Sequence, residues 1–299
     1  MKSQSCHTYE KNAVVGGTLY LVATPIGNLA DISERALKVL SEVDFVTAED
    51  TRNSGAMLSR FGISKPMVSY FEHNKRERGP YICDRLEGGE SCALITDAGT
   101  PAISDPGEDL VKLCAQRGIT VTSLPGCCAG ITALTLSGMD TRRFTFEGFL
   151  STQKSERRER LNELRDEKRT MVLYEAPHKL RGTLDDLYEY FGDRSIALCR
   201  ELTKLNEEVM RTTLSDAVRI YSEREPRGEY VLVIAGKPLE EIRAEERASY
   251  PEDPAEHVRE LMEGGMKRMD AIKTVAKIRG ASKNEIYSAV AIKSDNDID

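Results

Sequence analysis

The sequence predicts an α/β protein built from two successive α/β units and a small C-terminal helical extension. Three observations predict this. Short apolar runs, each closed by a Gly- and Pro-containing loop, alternate with stretches of helical periodicity. The alternation starts again after Gly130, and the last part of the chain, residues 255–292, is helical in pattern throughout. Strands alternating with helices imply right-handed crossovers and a mainly parallel sheet.

The elements follow in order. Thr18-Leu19-Tyr20-Leu21-Val22-Ala23 reads as a strand, closed by Thr24-Pro25-Ile26-Gly27-Asn28. Ile32, Ala36, Leu37, Val39 and Leu40 share one helical face, with Asp31 or Ser33 as the cap. Residues 43–48, 92–96 and 120–124 read as further strands, and residues 108–117 as a helix between the last two. In the second unit, strands are expected over 144–149, 170–174, 195–200, 207–212 and 229–235, and helices over 156–166, 178–191 and 215–224. The charged stretch 240–256, with Pro251 and Pro254, reads as a linker or a partly ordered helix. The division expected is a flexible tail over 1–17, α/β domains over 18–124 and 125–238, and linker plus helical extension over 239–299.

A chain of 299 residues buries cores of this size without disulfides or metals. Its seven cysteines are scattered and never spaced C-x-x-C, so buried thiols in a reducing compartment are expected. The amino terminus lacks the apolar core of a signal peptide, and no stretch approaches the twenty or so apolar residues of a membrane span. A cytoplasmic, unanchored protein is the expectation. The net charge of −7 argues mildly against nucleic acid, although a local basic patch can still bind it. Lys75-Arg76-Glu77-Arg78 and the segment Lys154-Ser155-Glu156-Arg157-Arg158-Glu159-Arg160 are the candidates, and both also read as solvated helix faces.

In a parallel sheet, ligands bind beyond the carboxyl ends of the strands. The unusual loops of this sequence concentrate there: TPIGN, EDTR, DAGTPAISDPG and PGCCAG. Glycines permit close backbone approach to a ligand, and prolines hold loop shape. The phosphate loop G-x-x-x-x-G-K-[ST], the dinucleotide fingerprint G-x-G-x-x-G and the hydrolase elbow G-x-S-x-G are all absent. The four histidines are far apart in sequence, and no metal site is expected. Carboxylates (Glu49, Asp50, Asp97, Asp105) and hydroxyls (Thr24, Thr51, Thr100, Ser104) suit a neutral or cationic ligand with ribose hydroxyls better than a polyphosphate. S-adenosylmethionine meets that description.

The motifs carry a resemblance. Ala23-Thr24-Pro25-Ile26-Gly27-Asn28-Leu29-Ala30-Asp31, then Ala48-Glu49-Asp50-Thr51-Arg52, then Thr96-Asp97-Ala98-Gly99-Thr100-Pro101 with Ser104-Asp105-Pro106-Gly107, closely resemble the bacterial 16S rRNA cytidine-2′-O-methyltransferases. That family is ribosomal RNA small subunit methyltransferase I, one of the tetrapyrrole-methylase-like, S-adenosylmethionine-dependent enzymes. Pro125-Gly126, Gly148-Phe149-Leu150, Tyr174-Glu175-Ala176-Pro177-His178, Arg200-Glu201-Leu202-Thr203-Lys204 and Arg227-Gly228-Glu229 follow in the family's order. The resemblance runs over residues 17–236, and the helical tail looks like the family's C-terminal extension.

The resemblance implies two α/β domains with S-adenosylmethionine in the cleft between them, and a homodimer. By position it implies a cofactor site at Pro25, Asp97, Gly99, Ser104, Asp105, Pro106, Pro125, Gly126, Tyr174, Ala176 and Pro177. Tyr174 also reads as a packing residue and Asp105 as a helix cap. Ser151 stands where the family commonly has proline, and Lys179 where it has arginine, which weakens any detailed account of RNA contacts.

A ribose hydroxyl needs an acceptor for its proton and alignment with the methyl group. Glu49 and Asp50 are the first candidates for that catalytic role, with Arg52, Glu201 and Lys204 next and the basic groups holding phosphate. The implied partner is 16S rRNA, read within the small ribosomal subunit. Lys267, Arg268, Lys273, Lys277, Arg279 and Lys283, around Gly280-Ala281-Ser282, suit two helices with a tight turn that either contact RNA or pack on the protein. A small-molecule tetrapyrrole methyltransferase and a non-enzymatic RNA-binding assembly factor are the alternatives.

Overall fold

The computed structural model describes residues 12–296, so part of the expected flexible tail, residues 1–11, lies outside the described residues. Residues 15–17 are already tied to the fold, by Val15 N–H donating to the Tyr20 hydroxyl (2.8 Å) and Gly17 N–H to the Glu90 carbonyl (2.8 Å). The chain divides into one compact unit ending at Gly236 and a second beginning at Lys237.

The first unit opens with β1 (Thr18–Val22), α1 (Glu34–Glu42), β2 (Phe45–Ala48), α2 (Thr51–Arg60) and β3 (Met67–Ser69). It continues with α3 (Lys75–Glu87), β4 (Cys92–Leu94), α4 (Gly107–Arg117) and β5 (Thr120–Leu124). All these strands pair in parallel, in the order β3-β2-β4-β1-β5. Both faces are covered. Val22, Val39, Leu40, Val46 and Leu58 form the core on one side, and Leu19, Phe45, Ile82, Leu86 and Leu110 on the other. A strand buried on both faces reads as a continuous apolar run rather than an alternation, which is how the sequence presents it.

α1 is capped by Ser33, whose Oγ accepts from Ala36 N–H at 3.1 Å. Val43 is its C-cap and not the start of a strand, because Asp44 and Phe45 first turn their amides to the Ser91 carbonyl. Helical segments were expected between the strands, without bounds for α2 and α3, and β3 was not expected. α2 is polar and contains Gly55, α3 carries Pro80 inside it, and β3 is a three-residue edge strand.

The second sheet follows α5 (Ala129–Ser137). It comprises β6 (Phe144–Gly148), β7 (Thr170–Glu175), β8 (Ser195–Arg200), β9 (Glu208–Thr213) and β10 (Tyr230–Ile234), in the order β6-β7-β10-β8-β9. α6 (Lys154–Leu164), α7 (Leu180–Phe191) and α8 (Leu214–Glu223) complete it. Here the expectation of parallel pairing fails. β6–β7 is parallel, but β7–β10, β10–β8 and β8–β9 are antiparallel. The connection from β8 to β9, residues 201–207, is too short for the crossover a parallel pair requires, so the two form a hairpin.

In the second unit, the stretch expected as a linker or partly ordered helix contains α9 (Leu239–Ser249). α10 (Pro254–Glu263), α11 (Arg268–Arg279) and α12 (Lys283–Asn296) pack around Val258, Ala271, Ile272, Val275, Ala276 and Ile286. Gly280, at φ +64°, ends α11 in the left-handed conformation that favours glycine. Among the described residues no helix is long and apolar enough to cross a membrane.

Candidate functional site

Four loops leave neighbouring carboxyl ends of the parallel sheet: residues 24–28 after β1, 49–50 after β2, 96–106 after β4 and 125–128 after β5. They are bound to one another. Thr24 and Gly99 exchange backbone hydrogen bonds (2.9 and 3.0 Å), and the Thr24 hydroxyl donates to the Thr96 carbonyl (3.0 Å). The Thr100 hydroxyl donates to the Cys127 carbonyl at 2.8 Å. A Cβ on Gly126 would lie 2.6 Å from the Cβ of Ala23, so this loop approaches β1 closely enough to require glycine.

The loops and the second sheet enclose a cavity of about 580 Å³. Glu49, Asp97, Gly99, Ser104 and Asp105 line it from the first sheet, and Tyr174, Ala176 and Pro177 from the end of β7. Glu201 and Lys204 line it from the turn after β8, and the remaining candidates lie off the wall. Asp50 caps α2, its Oδ1 accepting from Arg52 N–H (2.8 Å) and Asn53 N–H (3.3 Å). The Arg52 side chain is 91% exposed, with Asp50 at 3.6 Å. Pro106 stands at the start of α4, and Pro25, Pro125 and Gly126 belong to the loops without lining the cavity.

Several wall residues were missed as site candidates: Glu175, His178, Cys199, Glu229 and Tyr230. β10 brings the last two there. Because it runs antiparallel, Tyr230 at its amino end stands opposite both Glu175 and Arg200, at the carboxyl ends of β7 and β8. Glu175 is buried; one carboxylate oxygen accepts from Ala176 N–H at 2.8 Å and the other from the Thr183 hydroxyl. The Tyr174 ring packs against Phe146 and Phe149, and its hydroxyl accepts from Gly130 N–H at 3.2 Å, so it both packs and lines the cavity.

The electrostatics of the wall are uneven. Burial raises the Glu49 pKa, and the nearby carboxylates of Asp97, Asp105 and Glu72 raise it further. Burial and the Asp50 carboxylate likewise raise Asp97. Asp50 is held low by the two amides it caps. Burial pushes Glu201 upward, but Lys204 and the Glu229 amide outweigh it and hold its carboxyl below the ordinary value. Lys204 bridges Glu201 (2.8 Å) and Glu229 (2.9 Å), and these pairs raise its pKa against its own desolvation.

The backbone is strained at the same place. Ala102, Ser104, Glu201 and Thr203 all have positive φ, between 51° and 65°. Such conformations cost roughly 1–3 kcal/mol each and persist where surrounding structure over-determines them, most often at functional sites.

The basic segments are partly neutralised. Lys75 pairs with Glu72 and Asp109, each at 2.7 Å, Arg157 with Asp186 at 2.6 Å, and Arg160 with Glu147 and Glu163. This favours their reading as solvated helix faces. Among the described residues no cluster of three or more acidic, His or Cys side chains could hold a metal ion.

A parallel sheet and a mixed sheet, with a cavity of apolar walls and a few carboxylates at the strand ends, form the architecture of a known class of methyltransferases. Residues 18–218 match the family Tetrapyrrole (Corrin/Porphyrin) Methylases. The fold is similar to that of diphthine synthase, with a TM-score of 0.57 at 16% identity over 74% of this chain and 91% of that one. It is also similar to uroporphyrin-III C-methyltransferase from Thermus thermophilus complexed with S-adenyl homocysteine, with a TM-score of 0.52 at 15% identity over 73% and 97% of the two chains. Relatives named ribosomal RNA small subunit methyltransferase I are far more similar in sequence. That of Halalkalibacterium halodurans is 45% identical over 91% of this chain and 94% of its own, and that of Bacillus subtilis 43% identical over 93% and 95%. The chain belongs to this family of tetrapyrrole-methylase-type enzymes, as its loop motifs indicate.

S-adenosylmethionine is the family's methyl donor, and the cavity fits it. Asp105 Oδ1 caps α4 through Gly107 N–H at 2.7 Å, which leaves Oδ2 buried without a partner. An orphaned acceptor of this kind calls for a donor from outside the chain. Carboxylates suit a cationic donor, and Ile26, Ile103, Ala129 and Leu202 supply an apolar wall for its neutral parts.

Proposed function

We propose that this chain transfers a methyl group from S-adenosylmethionine to the ribose 2′-hydroxyl of a cytidine in the decoding region of 16S rRNA. The relatives' name carries the RNA substrate to this chain, and the state of Glu49 carries the chemistry. A carboxylate with a raised pKa is a stronger proton acceptor than an ordinary one, and a ribose hydroxyl becomes nucleophilic as its proton is taken. Glu49 is therefore the catalytic base, and Asp50 and Arg52 shape the entrance beside it.

When bound, S-adenosylmethionine supplies an electrophilic methyl group on a sulfonium. The chain's own part is to hold and orient. Asp97, Gly99, Ser104, Asp105, Tyr174, Ala176 and Pro177 hold the cofactor from the wall, while Pro25, Pro106, Pro125 and Gly126 fix the loops that carry them. Arg52, exposed beside the loop of Glu49, receives the anionic backbone of the substrate, while Lys204, spent on Glu201 and Glu229, holds the turn after β8 in place.

The rest of the reading follows from the family resemblance. The enzyme acts in the cytoplasm, as a homodimer, on an assembled small ribosomal subunit. The two sheets correspond to domains over 18–124 and 125–238, and the extension from 239 adds phosphate contacts. Lys267, Arg268, Lys273, Lys277 and Lys283 are exposed on α11, α12 and the turn before α11, which supports that role, whereas Arg279 is half-buried and donates to the Glu252 (2.9 Å) and Pro251 carbonyls.

The test is a transfer assay with labelled S-adenosylmethionine, offering purified small subunits lacking ribose methylation, naked 16S rRNA and a tetrapyrrole in parallel. Label in the subunits is the expected result. Label in the tetrapyrrole alone would overturn the RNA reading.

A further inference from the structure

Beside the main cavity lies a smaller one of about 280 Å³, lined by Arg200, Glu201, Asn206, Arg227 and Gly228. Glu201 lines both, so the two cavities are neighbours. Its size is below that of a typical cofactor pocket and suits a compact polar group.

The carboxylates around it are already engaged. Glu201 accepts from Lys204 (2.8 Å) and from Glu229 N–H (3.0 Å). Glu208 accepts from both terminal nitrogens of Arg224. Arg200 Nε is buried 3.1 Å from the same Glu208 carboxylate, an ion pair without hydrogen-bond geometry, and Nη2 reaches the Asn206 carbonyl only at 3.5 Å. Arg227 is 78% exposed, 3.4 Å from an equally exposed Glu225, a pair worth little in water. The cavity's acidic neighbours are thus satisfied, while Arg200, paired to Glu208 through Nε alone, and Arg227, held only by Glu225 through Nη2, keep terminal N–H groups that no carboxylate takes. A Cβ on Gly228 would lie 2.5 Å from the Cγ of Glu201, so the wall there stays bare backbone, at φ +76°.

A planar guanidinium fork with free N–H groups matches phosphate oxygens bidentately. We infer that this side cavity is a phosphate subsite in which Arg200 and Arg227 hold a phosphodiester of the strand whose ribose enters the main cavity. The inference rests on the RNA-substrate reading. It adds a contact that fixes the strand while the nucleotide itself is presented next door, on the far side of Glu201.

The experiment measures binding of the full chain, with S-adenosylhomocysteine present, to purified small subunits across a salt series. Arg200→Gln and Arg227→Gln are compared with the unaltered protein, and inorganic phosphate is titrated separately while the arginine Nε–H signals are followed by NMR. Each substitution is expected to weaken subunit binding about five- to tenfold and to flatten the plot of log affinity against log salt by about 0.7–0.9. Affinity for S-adenosylhomocysteine should not change, which separates a lost contact from a misfolded chain. Arg227, exposed and weakly paired, keeps the test decisive should Arg200→Gln fold poorly. Unchanged affinity and slope in the variants would overturn the inference and leave the RNA reading standing. Subunits that do not bind the unaltered protein would remove that reading and this inference with it. If phosphate then still moved the Arg200 signal, the cavity would be a site for a free anion instead.

Discussion

The stem of Lys204 fills the space in which a side chain on Gly27 would stand. A Cβ there would overlap Lys204 Cγ and come within 2.9 Å of Thr203 Oγ1. The Asn28 amide next to it donates to that same hydroxyl at 3.1 Å. The loop after β1 is therefore seated on the turn after β8, and the two sheets meet at this point.

Gly27→Ala should push the turn and Lys204 away from the cavity. Because small misplacements of positioning groups are costly, kcat/KM is expected to fall by about 10-fold or more. Steady-state assays on small subunits check this, and a rate equal to that of the unaltered enzyme would show that the seating is dispensable.

Glu49→Gln retains shape but cannot accept a proton. Its kcat should fall by about 10²–10⁴ while cofactor affinity holds. The pH profile carries the same information. With its pKa raised above the ordinary 4.5, Glu49 is protonated, and idle as a base, until the pH passes the raised value. The rate should therefore fall on the acid side with an inflection above 4.5, and Glu49→Gln should abolish that limb.

Asp50 separates structure from chemistry. Losing the cap in Asp50→Ala should lower the melting temperature by about 2–4 °C, whereas Asp50→Asn, which can still cap, should not. The sign with pH is fixed by its lowered pKa. The cap's contribution is present above the unfolded carboxylate's pKa and is lost as the pH falls through the folded one. Thermal scans of both variants from neutral to acid pH test it.

Thr183→Val removes the hydroxyl that donates to the buried Glu175 carboxylate, and with it an acceptor for Arg157 Nη2 at 2.9 Å. Leaving a buried acceptor unpaired costs about 1–3 kcal/mol. Denaturant unfolding should register that loss, and Thr183→Ser should recover most of it.

The sequence reveals the first sheet and its side of the cavity well, because one rule covers both: parallel strands deliver loops at their carboxyl ends, and TPIGN, EDTR and DAGTP occur there. Glu49, Asp97 and Asp105 were legible for that reason. The opposite wall was not. Glu229 and Tyr230 reach the cavity from the amino end of β10, inserted antiparallel between β7 and β8, and no local pattern announces that insertion. Asp50 and Arg52 share a motif with Glu49, yet a change of one residue along the chain turns the side chain from the cavity to the start of α2. α5 went unrecognised because its residues are apolar on nearly every side, so it shows no period to read.

The most direct test of the central claim is where the methyl group lands. Small subunits lacking ribose methylation would be incubated with the protein and S-adenosylmethionine, and their rRNA digested to nucleosides and to mapped fragments for mass spectrometry. A single 2′-O-methylcytidine in the decoding region is the predicted result. Methyl on a base, or RNA left unmodified by a protein that binds the cofactor and methylates a tetrapyrrole, would contradict it.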